Sequence, residues 1–364
     1  MENILPTAII YCENNFTKVD GKTANGLVRH SKKFRITSVI DSSKEGLDSG
    51  FILDNKINQI PIFKNLREAI NNEIKIPDTM IYGMAPTNGK FSIIDKKIIL
   101  QAIKFGMNII SGLHEYLCDD SQIMKAAEIA KVKLFDMRKP IPSKDMEVFT
   151  GHVADISAIR IAILGTDCAI GKRTTATILE ESLNKRGIKT ILINTGQTGL
   201  IQGGRYGLAL DSVPSQFCCG ELEKVIIQAS LTEKPQVILI EGQGALSHPA
   251  FCTSAFILRG SQPHAVILQH SPKRIFRCDF PNMLMPNPAD EISLIEKFVN
   301  TKVIGLTLNH EEMTDDEITR AVIDYASQLQ LPITDALRSP VTKLVDMVLD
   351  AFPQLKNPSL AVQS

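Results

Sequence analysis

Neither sign of charge is in surplus: 40 Lys and Arg residues stand against 40 Asp and Glu. The basic footprint that a nucleic-acid binder needs is therefore missing, and a small-molecule site is the better expectation. The seven cysteines (Cys12, Cys118, Cys168, Cys218, Cys219, Cys252 and Cys278) contain no CxxC pair. That argues against structural zinc, and for a reducing compartment. No apolar run approaches the ~18 residues that a membrane helix needs, and the opening MENILPTAII has neither a basic n-region nor a cleavage site. The expectation is a soluble cytoplasmic protein without a membrane or nucleic-acid partner. Repeats and low-complexity tracts are also absent.

What is present is enough for two buried cores. A chain of 364 residues that is 44% apolar suggests two domains. Short apolar β-rich runs alternate with helical patterns throughout. In the first part the strand-like runs are Thr7–Cys12, Phe34–Asp41, Thr79–Ala85, Met107–His114 and Val132–Asp136, with helical stretches near Leu66–Asn72, Lys97–Phe105 and Gln122–Lys131. A second series starts at Ile159 and continues through Lys189–Asn194, Gln236–Glu241, His264–His270 and Lys302–Asn309, with helical runs near Glu317–Gln328 and Val341–Phe352. This alternation predicts an α/β protein with parallel, doubly wound sheets. Breakers and polar residues from Pro140 to Gly151 place a boundary near 150, which gives a Rossmann-like domain over 1–150 and a second domain over 151–364.

The strongest local signal is the stretch Gly165, Thr166, Asp167, Cys168, Ala169, Ile170, Gly171, Lys172, Arg173, Thr174, Thr175. An apolar run precedes it and a helical run, Ala176–Asn184, follows. That is the strand, loop and helix of a phosphate-cradling P-loop, in which backbone N–H groups, a helix N-terminus and Lys172 converge on an anion. Two departures from the usual spacing stand out. Five residues separate Gly165 from the Gly171-Lys172 pair, and Arg173 fills the place where a Ser or Thr hydroxyl holds magnesium. Anion binding is expected; a metal is not.

Three further blocks end strands of the second domain, where parallel sheets bind ligands. Thr195, Gln197 and Thr198 lie in NTGQTG; Glu241 and Gln243 lie in EGQG; His248 follows in SHP. A Glu closing an apolar strand is hard to explain by packing, and His248 titrates near neutrality, so either could be the general base, although His248 could also be a loop residue. Gln197 and Gln243 could stabilise an oxyanion. Arg205, Arg259, Arg274 and Arg277 are candidate clamps for a carboxylate or phosphate, and could equally be ordinary surface charges. Cys168, at a helix N-terminus, could be a thiolate nucleophile or a small buried hydrophobe. In the first domain Asp41 closes the second strand where a ribose-binding acid would sit, but no GxGxxG follows the first strand, and a turn or cap role is the alternative. Lys22, Asn25, Arg29 and His114 could contact anions or simply be solvated.

GTDCAIGKRTT, NTGQTGL, IEGQGALSHPAF and RGSQPHAVILQHSPKR, together with KTANGLVR, GLHEYLCDD and DMRKP in the first half, resemble a bacterial family formerly labelled a domain of unknown function that includes D-glutamate N-acetyltransferases. The resemblance covers nearly the whole chain. It implies transfer of acetyl from acetyl-coenzyme A to the amino group of a dicarboxylic amino acid, most simply D-glutamate, which a partner enzyme would then oxidise. On this reading coenzyme A sits on the P-loop, and the strand-end residues Thr195, Gln197 and Thr198 together with the candidate clamp Arg205 are the expected substrate contacts. A homo-oligomer is expected. One departure bears on substrate choice: where the family carries an acid before Phe in a DxVxxDF run, this chain has Gln216 before Phe217. GTDCAIGK and IEGQGA also resemble dethiobiotin synthetase, which would imply ATP and magnesium acting on a small carboxylate through Asp167 and Glu241; the Lys-Pro that precedes Thr-Gly in that family is replaced here by Asn194-Thr195. A regulatory protein that senses a nucleotide or coenzyme A is a third, non-enzymatic reading.

Overall fold

The computed structural model describes residues 5–356 and divides into two compact units. One runs to Ile141 and also takes Gln197–Arg205; the other takes Pro142–Gly196 and the described chain from Tyr206 onward.

The first unit is a six-stranded parallel sheet built from β1 (Thr7–Tyr11), β2 (Arg35–Ile40), β3 (Ile62–Phe63), β4 (Thr79–Tyr82), β5 (Asn108–Ser111) and β6 (Leu134–Asp136). Its order is β3-β2-β1-β4-β5-β6, the Rossmann order, with the reversal between β1 and β4. Helices α1 (Lys22–His30), α2 (Ser49–Asp54), α3 (Leu66–Asn71), α4 (Ile93–Lys104) and α5 (Ser121–Ala130) make the crossovers. Helix α4 starts where Ser92 and Asp95 form a reciprocal capping box. A cleft of about 430 Å³ opens at the carboxyl ends of β1 and β4, between Tyr11, Asp20, Tyr82, Lys90, Phe91 and Asp95.

The second unit holds a seven-stranded sheet. Its elements are β7 (Ile159–Gly165), α6 (Lys172–Lys185), β8 (Thr190–Asn194), then α7 (Gln197–Gln202), which belongs to the first unit, and β9 (Tyr206–Gly207), α8 (Ser215–Glu233), β10 (Val237–Glu241), α9 (Thr253–Ser261) and β11 (Ala265–His270). A two-stranded antiparallel arm, β12 (Phe276–Arg277) and β13 (Phe280–Leu284), follows, and α10 (Pro288–Phe298), β14 (Lys302–Leu308), α11 (Asp315–Leu329), β15 (Ile333–Thr334) and α12 (Val341–Ala351) complete it. The sheet order is β15-β14-β11-β7-β10-β8-β9, all parallel. Strand β7 shows why its sequence reads as a continuous apolar run: Ala162 and Leu164 join one buried cluster, while Ile161 and Ile163 join the cluster on the opposite face. Both faces are covered by helices, so alternation disappears from the sequence.

The expected α/β class with parallel sheets and its central strands is therefore observed. The apolar runs overlooked less regular elements. Helix α8 carries Cys218, Gly220, Glu221, Leu222 and Glu223 among its buried residues, so acids and small residues break the amphipathic stripe by which a helix is recognised.

Candidate active site at the phosphate loop

Strand β7 delivers the chain to Gly165 at the centre of the sheet, and α6 leaves from Lys172. Between them Ala169 (φ 51°) and Gly171 (φ 97°) are left-handed. Such a conformation costs a Cβ-bearing residue of the order of 1–3 kcal/mol, and it persists where surroundings enforce it. A Cβ built on Gly171 would come into ordinary van der Waals contact with the side chains of Asn309 and Gln269, each at 3.9 Å. The first-turn amides of a helix have no partner inside it, which is the general condition under which a helix terminus attracts an anion. Lys172, buried, reaches back to the Asp167 carbonyl.

Side chains from distant elements brace the loop. Arg274 donates to Asp167 Oδ2 (3.1 Å) and to the Cys168 carbonyl (2.8 Å), and pairs with Glu311 (2.7 Å). Arg277 donates to the Thr166 carbonyl (3.2 Å) and to Ser247 Oγ (2.8 Å). The Cys278 amide donates to Asp167 Oδ2 (2.7 Å). Thr166 Oγ1 lies 2.9 Å from His270 Nδ1, whose other nitrogen meets the Tyr325 hydroxyl at 3.2 Å. Burial lowers the His270 pKa to about 4, so this link is a neutral one.

At the ends of β8 and β10 a second group forms around Glu241, which is buried. Arg173 Nη1 lies 3.2 Å from Glu241 Oε2 and donates to Asn194 Oδ1 (2.5 Å). The Thr195 amide donates to the same Oε2 (3.1 Å), and the Thr195 hydroxyl donates to the Glu241 carbonyl (2.8 Å). Gln243 donates its amide to the Thr195 carbonyl. Thr195, Glu241, Gln243 and the first turn of α6 are thus gathered in one place.

His248 is placed otherwise. Its ring is buried, stacked on Phe251 (4.7 Å between centroids) and edge-on to Phe280 (5.2 Å). Nδ1 accepts the amides of Ala250 and Phe251, both at 3.2 Å. Nε2 lies 3.8 Å from Asp167 Oδ1, and these two buried atoms have no hydrogen-bond partner. Burial, reinforced by the Arg277 charge, lowers the pKa of this imidazole, and Asp167 opposes the shift only in part.

The whole architecture has counterparts. Residues 147–345 match a family model described as a domain of unknown function, the DUF1611 C-terminal P-loop domain, and residues 42–140 match its N-terminal Rossmann-like domain. The chain belongs to the DUF1611 family. It is similar to a D-glutamate N-acetyltransferase of Tritonibacter scottomollicae, 30% identical over 274 residues that cover 74% of this chain and 80% of that protein. A D-glutamate N-acetyltransferase of a Pseudoalteromonas species is 31% identical over 276 residues, 73% of this chain and 80% of that protein. The crystal structure of a DUF1611 family protein from Anabaena variabilis superposes with a TM-score of 0.87 at 27% identity, covering 95% of this chain and 99% of that one.

Other residues singled out in this DUF1611 chain fall into different settings. Gln197, Thr198 and Arg205 belong to the first unit. There Thr198 Oγ1 lies 3.0 Å from Thr23 Oγ1, and Gln197 packs against Gly112, where an added Cβ would meet its Cγ at 2.5 Å. Arg205, Lys22 and His114 are exposed. Arg29 pairs with Asp54 (2.7 Å), and the Asn25 amide lies against the carbonyls of Phe16 and Gly21. Asp41 accepts the Phe16 amide (3.0 Å) together with the Ser43 amide (3.0 Å) and hydroxyl (2.6 Å); its carboxylate caps the turn after β2. Arg259 is exposed and lies over the Phe298 ring at 4.6 Å. Cys168 is half-buried, and Gln216 is exposed in the first turn of α8. Sequence reasoning missed Gln269, which accepts the Thr175 hydroxyl (2.7 Å), and His270 as parts of the loop's support. Their signal was positional: each sits at the carboxyl end of a central strand. Among the described residues no group of three or more His, Cys, Asp or Glu is placed to share a metal, and no helix is long and apolar enough to cross a membrane.

Proposed function

We propose that this chain is an N-acetyltransferase that moves the acetyl group of acetyl-coenzyme A to the amino group of D-glutamate. The observation that carries the reading is the similarity along 73–74% of the chain to two D-glutamate N-acetyltransferases, supported by the strand, glycine turn and lysine-bearing helix N-terminus at residues 165–175. The residues fit the cofactor's pyrophosphate: beside the amides of the loop, Lys172 supplies a cation and Arg173 supplies a second one within the same helical turn. Acetyl-coenzyme A brings the activated thioester carbonyl when bound.

In this reading Lys172, Arg173 and the amides of the loop hold the diphosphate. Glu241 accepts the ammonium proton of the amino acid. Both of its hydrogen bonds fall on Oε2, which leaves Oε1 for that task. With acetyl-coenzyme A bound, the freed amine would be placed to attack the thioester carbonyl, the new C–N bond replacing the C–S bond and the second nitrogen proton passing to the departing thiolate. Gln243 and the amides of the Gly-rich strand ends are assigned to the developing oxyanion. His248 has its ring turned toward the loop interior, so it is assigned to positioning Asp167 rather than to proton transfer.

The test is thiol release from acetyl-coenzyme A across D- and L-amino acids, run beside ATP hydrolysis. Release that depends on D-glutamate is the expected result. Hydrolysis of ATP driven by a small carboxylate would establish the dethiobiotin synthetase-like reading in its place, and coenzyme A binding without turnover of any amino acid would make the protein a sensor.

A further inference from the structure

In a metal-dependent P-loop the residue after the lysine supplies a hydroxyl to magnesium, and a carboxylate from a neighbouring strand end holds the ion through its shell. Here the same two positions are joined directly. Arg173, the second residue of α6, reaches Glu241 Oε2 at 3.2 Å and Asn194 Oδ1 at 2.5 Å. The side chains are 19% and 9% exposed, so the pair sits in partial shelter from solvent, where charges interact more strongly than in water.

The two hydroxyls that follow Arg173 are placed differently from the one a metal-dependent loop uses. Thr174 is rotated about 100° around the helix from Arg173. Thr175 donates its hydroxyl to Gln269 Oε1 at 2.7 Å and is buried on the sheet side. The strand-end carboxylate is already ion-paired through Oε2, and a divalent ion placed beside it would meet the guanidinium charge. A guanidinium nevertheless has five N–H donors in a fixed fork. With Nη1 turned to Glu241 and Asn194, that fork sets a fixed positive charge beside the loop, where a metal-dependent site sets its ion.

We propose that Arg173 replaces the divalent cation of this phosphate loop, so that the site binds a diphosphate without metal and does not favour a metal-chelated nucleotide. The proposal rests on the loop being a phosphate site, as in the function proposed above, and it adds which form of phosphate the site selects.

Calorimetry with coenzyme A and with ADP as probes, each in EDTA and in magnesium, tests it. The wild-type protein should bind coenzyme A equally in both conditions and bind ADP no more tightly with magnesium. Arg173→Thr should weaken binding of both probes in EDTA by about tenfold or more, the usual effect of removing a charged donor. The variant should regain affinity for ADP when magnesium is added, and Glu241→Gln in that background should abolish the regain. Arg173→Lys, which keeps the charge, should remain independent of metal and controls for folding. Wild-type affinity for ADP that rises with magnesium overturns the proposal, as does an Arg173→Thr variant whose binding is unchanged or indifferent to magnesium. Binding of neither probe by the wild type removes the phosphate site and the proposal together. Metal-independent binding without acetyl transfer leaves this proposal standing and removes only the acetyltransferase reading.

Discussion

At the scale of single residues the proposed function separates groups that would touch a ligand from groups that hold the loop. It assigns Lys172 to the first. Lys172→Ala should weaken coenzyme A binding by roughly 1.5–3 kcal/mol, the range for a hydrogen bond to a charged group; unchanged affinity by calorimetry would remove the phosphate-site assignment. Glu241 and His248 offer a sharper contrast. Glu241→Gln should lower kcat by on the order of 10²-fold with coenzyme A binding nearly intact, as removal of a general base does. Since His248 meets Asp167 inside the loop, His248→Ala should act mainly on coenzyme A affinity and KM. If instead His248→Ala lowers kcat alone and deletes the acidic limb of the kcat profile, the imidazole is the base and the proton-transfer roles exchange. The sequence drew attention to both residues, but it could not separate them, because the difference lies in where each side chain points.

At the scale of elements, α8 holds the segment that enters the second unit. Its Glu223 accepts the Thr150 amide (2.6 Å) and hydroxyl (3.0 Å) and the Val153 amide (3.0 Å), while Glu221 accepts the Glu147 amide (2.7 Å). Gly220 lets the helix approach this segment closely: a Cβ there would lie 2.2 Å from the Glu147 carbonyl oxygen and 2.4 Å from the Val148 carbonyl carbon. An interior helical Gly→Ala change ordinarily stabilises by about 1 kcal/mol. Gly220→Ala should do the opposite and lower the urea midpoint, because the atoms it meets are backbone and cannot rotate away. A raised midpoint would show that the segment is free to move off α8. This close approach explains why α8 was illegible in sequence, whereas α6, which follows directly on a glycine-rich turn, could be read from its local signal.

For the molecule as a whole, acid stability follows from buried neutral histidines. Burial lowers the pKa of His248, His264 and His270, the last to about 4. Each folded pKa lies below the unfolded value of about 6.5, so the unfolded chain binds protons first on acidification. The stabilisation is complete above pH ~6.5 and is lost as pH falls toward 4, where His270 alone accounts for roughly 3 kcal/mol. Denaturant titrations from pH 7.5 to 5 should therefore show falling stability. His270→Asn should have a shallower slope by about one proton; equal slopes for the two proteins would mean that His270 does not contribute.

The sequence by itself determined the elements whose signals are local. Strands buried on both faces appear as apolar runs, and the loop from Gly165 to Thr175 announces itself because strand, glycine turn, lysine and helix are contiguous. These were sufficient for the α/β class, and the quoted motifs were sufficient for the family. Tertiary structure decided what depends on residues far apart in the chain: Arg173 with Glu241 across 68 positions, Arg274 with Asp167 across 107, and Gln197–Arg205 with the first unit although its neighbours in sequence belong to the second. The reason is physical. Backbone geometry and apolar periodicity are fixed over a few residues, whereas the partner of a charged side chain is chosen by which strand ends the sheet order places side by side.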